Sequence, residues 1–143
     1  MALDLHAMEK KWQQHWEKNH VYEFDRKSKK PVYSIDTPPP TVSGTMHMGH
    51  AFAFAQQDFI ARYKKMAGFN VFHPFGFDNN GLATALMVEK KRGIKQKDFE
   101  RDEFIKLVLK GTAEEEKSME AAFKSIGLSL DWSLLYRTID NLY

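Results

Sequence analysis

A chain of 143 residues suffices for one domain with one sizeable core, and a hydrophobic fraction of 43% with 13% aromatics excludes a disordered tail. The formal net charge of +2 gives no strong electrostatic footprint for nucleic acid over the chain as a whole, so this segment does not read as an RNA binder by itself. Cysteine is absent, which excludes disulfides and cysteine-ligated zinc and makes a reduced, cytoplasmic setting the expectation.

The first residues lack the continuous apolar region of a signal peptide, and no apolar run reaches a membrane-spanning length. Leu5, Met8, Trp12 and Trp16 recur at helical spacing, with Lys and Glu on the other side. This predicts a surface helix docked by its aromatic stripe, the tryptophans packing rather than stacking on RNA. "DRKSKKP" (25–31) reads as a basic loop or hairpin turn. "PVYSIDT" (31–37) is β-branched and aromatic, a short strand ended by Pro38, Pro39 and Pro40. From about His47 to Met66, Phe52, Ala55, Phe59, Tyr63 and Met66 mark one apolar helix face, and Gly68 supplies the stop. "NVFHPFG" (70–76) predicts a second buried strand, with His73 a partly buried structural histidine, and "GLATALMVEKKRG" (81–93) a second helix closed by Gly93.

Residues 97–127 carry a further helical stripe: Phe99, Phe104, Leu107, Val108, Met119, Ala122, Phe123 and Ile126. Gly111 interrupts it and predicts two helices or a bend. The runs "KKRGIKQK" (90–97) and "EEEK" (114–117) read as solvated helix faces, and Trp132 as a packing residue. The last stretch, "LSLDWSLLYRTIDNLY" (128–143), is apolar without a natural stop.

Strands alternating with helices imply an α/β fold with parallel pairing and right-handed crossovers. Ligands of such sheets bind beyond the carboxyl ends of the strands. The prolines with Ser43 and Gly44 end the first strand, and Phe77 to Asn80 end the second, so both polar clusters fall on one rim. Gly44 and Gly49 let a purine or phosphate approach the backbone. The helix start offers free N–H groups and a positive dipole end to phosphate oxygens. His47 and His50, three residues apart, lie on neighbouring parts of one helix face and can donate hydrogen bonds to the same oxygens. Two histidines at this spacing also suit a metal or a helix cap. Asp78, an acid at a strand end beside that helix start, suits a cation rather than ATP.

"TPPPTVSGTMHMGHAF" (37–52) resembles the signature of the class I aminoacyl-tRNA synthetases, whose HIGH motif would here be His47-Met48-Gly49-His50. The likeness is to the valyl, isoleucyl and leucyl group, and it extends through "DFIARYKKMAGFNVFHPFGFDNNGLATALMVEK" (58–90) and "IGLSLDWSLLYRTID" (126–140). Gly76, Asp78, Gly81 and Leu82 match a Gly-x-Asp-x-x-Gly-[Leu/Ile] pattern of archaeal-type valyl enzymes. The resemblance implies residues 1–143 as the first half of a Rossmann-like catalytic domain, with flanking helices and with residues 1–30 as an N-terminal helix and turn appended to it. It implies activation of valine by ATP with Mg2+ and transfer to tRNA, with no zinc in this segment. His47 and His50 would act catalytically on the ATP phosphates, Gly49 would leave room for the adenine, and Thr41, Ser43 and Gly44 would line the adenylate pocket. Pro39 and Pro40 would sit by the amino acid, a proline carbonyl facing its ammonium and Asp78 pairing with it.

The sequence departs from the family in lacking a KMSKS-like string, the editing insertion and the anticodon-binding helices, and in carrying Asn79-Asn80 where Asp-Asn or His-Ala is usual. The expectation is a fragment of a longer synthetase, completed by a KMSKS-bearing half in cis or in trans. A split-enzyme subunit, an isoleucyl- or leucyl-type fragment, and a free-standing nucleotide- or partner-binding paralog without catalysis are the alternatives. A half sheet would leave Phe75, Phe77 and the terminal "LLYRTIDNLY" near an uncovered face.

Overall fold

The computed structural model describes residues 4–140. Helix α1 (Leu5–Lys18) starts where the Asp4 side chain accepts from the Ala7 N–H at 3.0 Å. Its apolar stripe does not dock along its length as the periodicity predicts. Leu5, Met8 and Trp12 are exposed, and only Trp16 turns inward, against Tyr22 at 5.6 Å between ring centroids and beneath the Arg62 guanidinium. The helix also meets the end of α4, where Gln13 donates to the Ser125 carbonyl at 3.1 Å.

Strands β1 (Val32–Ser34) and β2 (Asn70–Phe72) pair in parallel, with Val32 opposite Asn70 and Ser34 opposite Phe72. Strands β3 (Pro74–Phe77) and β4 (Asp131–Arg137) form a second parallel pair, with Gly76 opposite Tyr136. The single strand expected over 70–76 is thus divided at His73. Pro74 has no N–H to give to a ladder, so the run changes partners there. A Cβ on Gly76 would fall inside the Tyr136 ring, so only glycine lets β4 lie this close. Strand β4 itself was not legible in the sequence, because its partner lies some sixty positions away and local pattern carries no trace of it.

Helix α2 (Met48–Met66) presents the opposite face from the one the sequence pattern selects. Phe54, Asp58 and Ala61 are buried, while Phe52, Phe59, Tyr63 and Met66 are 62–81% exposed. A carboxylate decides the rotation. Asp58 accepts from the Ser129 N–H at 2.6 Å and from its hydroxyl, and pairs with Arg62 at 2.7 Å. A buried carboxylate needs such partners, and turning Phe59 inward would strip them away.

Helix α3 (Leu82–Arg92) closes on Gly93 at φ 64, and α4 (Arg101–Ser125) runs unbroken through Gly111. No bend or break occurs there. A Cβ at Gly111 would stand 2.8 Å from Val88 Cγ2, so the glycine is the place where α3 crosses α4, not a helix stop. The acidic run is not a solvated face either. Glu115 and Glu116 are buried, the first paired with Lys91 and the second with Arg137 at 2.7 Å. Glu114 reaches Arg92 at 3.1 Å, so the basic run on α3 partly neutralises the acidic run on α4.

The core joins Val42, Phe54, Phe75, Phe77, Met87, Val88, Met119, Phe123, Leu128 and Leu130, with Trp132 packed against it. Phe75 and Phe77 lie at its centre, 2% and 0% exposed, rather than on an uncovered face. Of the apolar terminal stretch, residues 141–143 lie outside the described residues.

His73 is 1% exposed, more deeply buried than expected. Neither ring nitrogen meets a partner at hydrogen-bond geometry. Burial pushes its pKa below the ordinary 6.5, against an opposing pull from Asp58 and the Ser129 backbone.

Two outcomes follow from these contacts. Gly111→Ala would gain about 1 kcal/mol from helix propensity alone, yet overpacking against Val88 will make it destabilising by about 1–3 kcal/mol. Chemical denaturation of the single variant, of Val88→Ala and of the pair checks this, the pair restoring the propensity gain. For His73, the unfolded chain binds a proton at about pH 6.5 that the folded chain refuses. This part of the stability is therefore intact above that pH and declines as pH falls below it. Urea midpoints at about pH 7.5 and about pH 5.5 will differ less in His73→Leu than in the parent.

Candidate active site

Residues between β1 and α2 and those after β3 meet through the backbone. Thr41 and Asp78 form an isolated parallel bridge. Val42 N–H donates to the Asp78 carbonyl at 2.9 Å, and Asp78 N–H donates to the Pro40 carbonyl at 3.0 Å. The three prolines give no N–H, so pairing lapses after Ile35 and resumes only here. The rim expected from the alternation of strands and helices therefore exists at Thr41 and Asp78.

Asp78 is half-buried and well held. Its Oδ2 accepts from the Thr41 hydroxyl at 3.1 Å and its Oδ1 from the Thr138 hydroxyl at 3.2 Å. Thr138 in turn accepts from the Asn79 N–H at 2.9 Å, and its carbonyl accepts from the Asn80 side chain at 3.1 Å. The Asn79 amide donates to Glu116, which also binds Arg137. Sequence reasoning missed Thr138, Glu116 and Arg137. A threonine just past an unrecognised strand carries no local signal of what it will touch.

The turn 42–46 leads from the bridge to α2. His47 is the N-cap: its Nδ1 accepts from the Gly49 N–H at 3.1 Å. That bond leaves Nε2 as the protonated nitrogen of the neutral ring, a donor directed away from the backbone. The His50 ring stacks on His47 with centroids 3.9 Å apart and planes 18° from parallel. A Cβ at Gly49 would stand 3.0 Å from the His47 ring, so the glycine lets that ring fold back over the helix start. His50 rests 6.5 Å from Phe123, and its Nδ1 is buried without a hydrogen-bond partner. Burial first, and the neighbouring His47 second, lower the His50 pKa below 6.5. Burial and the neighbouring ring thus favour the uncharged form of His50, and the two rings stand side by side at a helix N-terminus.

Gly44 has φ 152 and nothing within 4 Å of where a Cβ would stand, leaving open space beside the backbone. Ser43 is exposed, Pro39 half-buried and Pro40 buried. The Pro40 carbonyl already accepts from Asp78, so a second donor would use its other lone pair. A groove of 1030 Å³ opens beside Asn79 and Asn80, but neither the histidines nor Asp78 line it. Among the described residues no group of three or more His, Cys, Asp or Glu side chains could hold a metal ion, and no helix is long and apolar enough to cross a membrane.

A family model described as tRNA synthetases class I (I, L, M and V) matches residues 11–143. The chain belongs to this family. It is 50% identical over 135 residues to a valine–tRNA ligase of Rickettsia prowazekii, covering 94% of this chain and 17% of that protein. It is 49% identical over 138 residues to a valine–tRNA ligase of Thermoplasma volcanium, covering 96% of this chain and 18% of that protein. The chain therefore spans less than a fifth of the length of these curated relatives. In fold it matches a crystallised LeuRS–tRNA–LeuAMS ternary complex of Agrobacterium radiobacter K84 with a TM-score of 0.83 at 24% identity, over 99% of this chain and 16% of that one. That match places the two parallel strand pairs and their helices in the Rossmann-like fold of class I synthetases.

The stacked histidines generate a test that needs no substrate. His47→Ala removes the second cause of the His50 shift but not the first. Proton NMR titration will show the His50 pKa rising on this substitution while staying below 6.5. An unchanged value would mean the two rings do not sense each other.

Proposed function

We infer that residues 1–143 supply the HIGH-motif half of the catalytic domain of a valine–tRNA ligase, with residues 1–30 as its appended helix and turn. The observation that carries this reading is the stacked pair His47 and His50 at the start of α2, one short turn from the Thr41–Asp78 bridge. The identity of about 50% to named valine–tRNA ligases supports valine as the amino acid. A cysteine-free composition suits a cytoplasmic setting.

The valine carboxylate attacks the α-phosphorus of ATP, pyrophosphate leaves, and the valyl group passes from the adenylate to tRNA. His47 and His50 donate hydrogen bonds to phosphate oxygens as charge develops on them, aided by the α2 N-terminus. Mg2+ enters with the triphosphate. Thr41, Ser43 and Gly44 line the path of the adenylate, and Gly49 keeps the helix start open to it. Asp78, with Pro39 and Pro40 beside it, takes the valine ammonium. The lysines that neutralise the leaving pyrophosphate come from a KMSKS-bearing half, in the same polypeptide or a second one, as does most of the tRNA surface.

The test is valine-dependent ATP–pyrophosphate exchange by the assembled protein containing this chain and that half. His50→Ala should lower the exchange rate on the order of a hundredfold or more. Asp78→Asn should raise KM for valine more than KM for ATP, by the roughly 1.5–3 kcal/mol of a hydrogen bond to a charged group. Equal losses for both substrates would remove Asp78 from the ammonium, and exchange driven by isoleucine or leucine instead would change the amino acid.

A further inference from the structure

The net charge of +2 conceals an uneven distribution. Lys91, Arg92, Lys124, Arg137 and Arg62 are all in ion pairs with glutamates or aspartate. The other sixteen Lys and Arg are in none among the described residues, and six of them, Arg26, Lys27, Lys29, Lys30, Lys64 and Lys65, differ from the rest in their placement. These six gather at one place. The loop 25–31 leads into the amino end of β1, and α2 returns its last turn to that same end before β2.

The loop is fixed, not trailing. Asp25 N–H donates to Asn70 Oδ1 at 3.3 Å, and the Asn70 side chain donates back to the Asp25 carbonyl at 2.8 Å. Asn70 N–H donates to the Pro31 carbonyl at 2.9 Å, closing the loop at its other end. Within it, Lys27 N–H donates to Asp25 Oδ1 at 2.9 Å and Lys30 N–H to the Ser28 hydroxyl at 3.2 Å. The one carboxylate in the loop is thus engaged with backbone and faces no lysine ammonium. Lys64 Nζ lies 4.5 Å from the Tyr33 ring centre and 4.9 Å from that of Phe69, and Lys65 Nζ lies 5.8 Å from the Tyr22 ring. Burial, and then the positive charge of Lys30, lower the Lys65 pKa, while buried Asp131 opposes the shift. Lys30 and Lys65 thus stand close enough to sense each other's charge.

We propose that the pinned loop 25–30 and the last turn of α2 form a binding surface for the phosphate backbone of an RNA strand. The surface lies at the far end of α2 from His47, about 28 Å away for a helix of 19 residues. It is therefore separate from the candidate active site, and it does not depend on how that site is read. Fixed cations on a rigid edge match the regular charge of a nucleic-acid backbone. The loop Arg-Lys-Ser-Lys-Lys-Pro offers no aliphatic or aromatic residue for insertion into a bilayer, which disfavours a membrane as the anionic partner.

The experiment is fluorescence anisotropy of a labelled single-stranded RNA against the full chain at a series of salt concentrations. The variant K27E/K29E/K30E is compared with K106E/K110E/K117E, which makes the same change in net charge at exposed positions of α4. The loop variant should bind on the order of tenfold or more weakly, with a salt slope shallower by about 2, at roughly 0.7 per lost phosphate contact. The α4 variant should bind like the parent. If charge reversal disturbs folding by circular dichroism, K27Q/K29Q/K30Q makes the same comparison. Equal weakening in both variants would reduce the effect to net charge and overturn the proposal. Unchanged binding in the loop variant would overturn it too, as would tighter binding to phosphatidylserine vesicles than to RNA.

Discussion

The geometry of the rim depends on the backbone pairing of Asp78 with Pro40 and Val42. Three consecutive prolines prevent an ordinary ladder over 38–40, so the two chains can lock only where an N–H reappears. Because Asp78 gives its N–H to one side of the bridge and its carbonyl to the other, its backbone has no freedom to swing. Its carboxylate direction is then set by two hydroxyls, from Thr41 and Thr138. On the other arm, Val42 is fully buried in the core and fixes where the turn to α2 begins. The aromatic contacts His50–Phe123, Phe123–Phe75 and Phe75–Phe77 carry the same core back to the residue before Asp78. Histidine pair and carboxylate are thus referred to one packed frame, which is what a site needing fixed donors requires.

Two buried carboxylates hold the layers around that frame. Asp58 binds the start of the segment leading to β4 through Ser129, and Asp131 binds the N-terminal region through the Phe24 N–H at 2.8 Å and its own strand through Ser133. Each accepts from several donors, which is the condition for keeping a charge out of water. The arrangement also explains why helix α1 can remain so exposed. What ties the N-terminal region to the core is the Phe24–Asp131 bond and Arg62, which reaches Tyr22 and the Gly127 carbonyl, more than the apolar stripe of the helix.

Local chemistry made much of this readable in the sequence. The proline run, the glycine stops at Gly68 and Gly93 and the helix start at His47 follow from residues acting within a few positions of themselves, and the shared rim follows from the alternation of strands and helices. What stayed hidden depends on distant partners. Helix α2 turns its Phe52–Phe59–Met66 stripe outward because Ser129 waits for Asp58 on the other side. Gly111 reads as a helix stop until Val88 is seen to cross it. The run 70–76 reads as one strand because nothing local says that Pro74 exchanges β1 for β4. Thr138 is illegible for the same reason, and so is the burial of Glu115 and Glu116 within an acidic run.

Charge pairing separates structural from exposed chemistry in this chain. Asp58, Glu114, Glu115 and Glu116 each have a cation against them, from Arg62, Arg92, Lys91 and Arg137. Among the described residues Asp78 is bound only by neutral donors, two hydroxyls and a long contact at 3.4 Å from the Asn80 N–H, and stands in no ion pair. Neutral donors fix a carboxylate without cancelling it, whereas a lysine or arginine would do both. A carboxylate held this way is oriented before any ligand arrives and keeps its attraction for an ammonium. The stacked histidines mirror that logic with the opposite chemistry: burial and mutual repulsion hold His50 uncharged, so it offers a directed N–H near pH 7 without a fixed positive charge. A stacked pair of ring N–H donors and an acid held by hydroxyls are thus set on opposite arms of one proline-defined bridge, each oriented by the same packed frame.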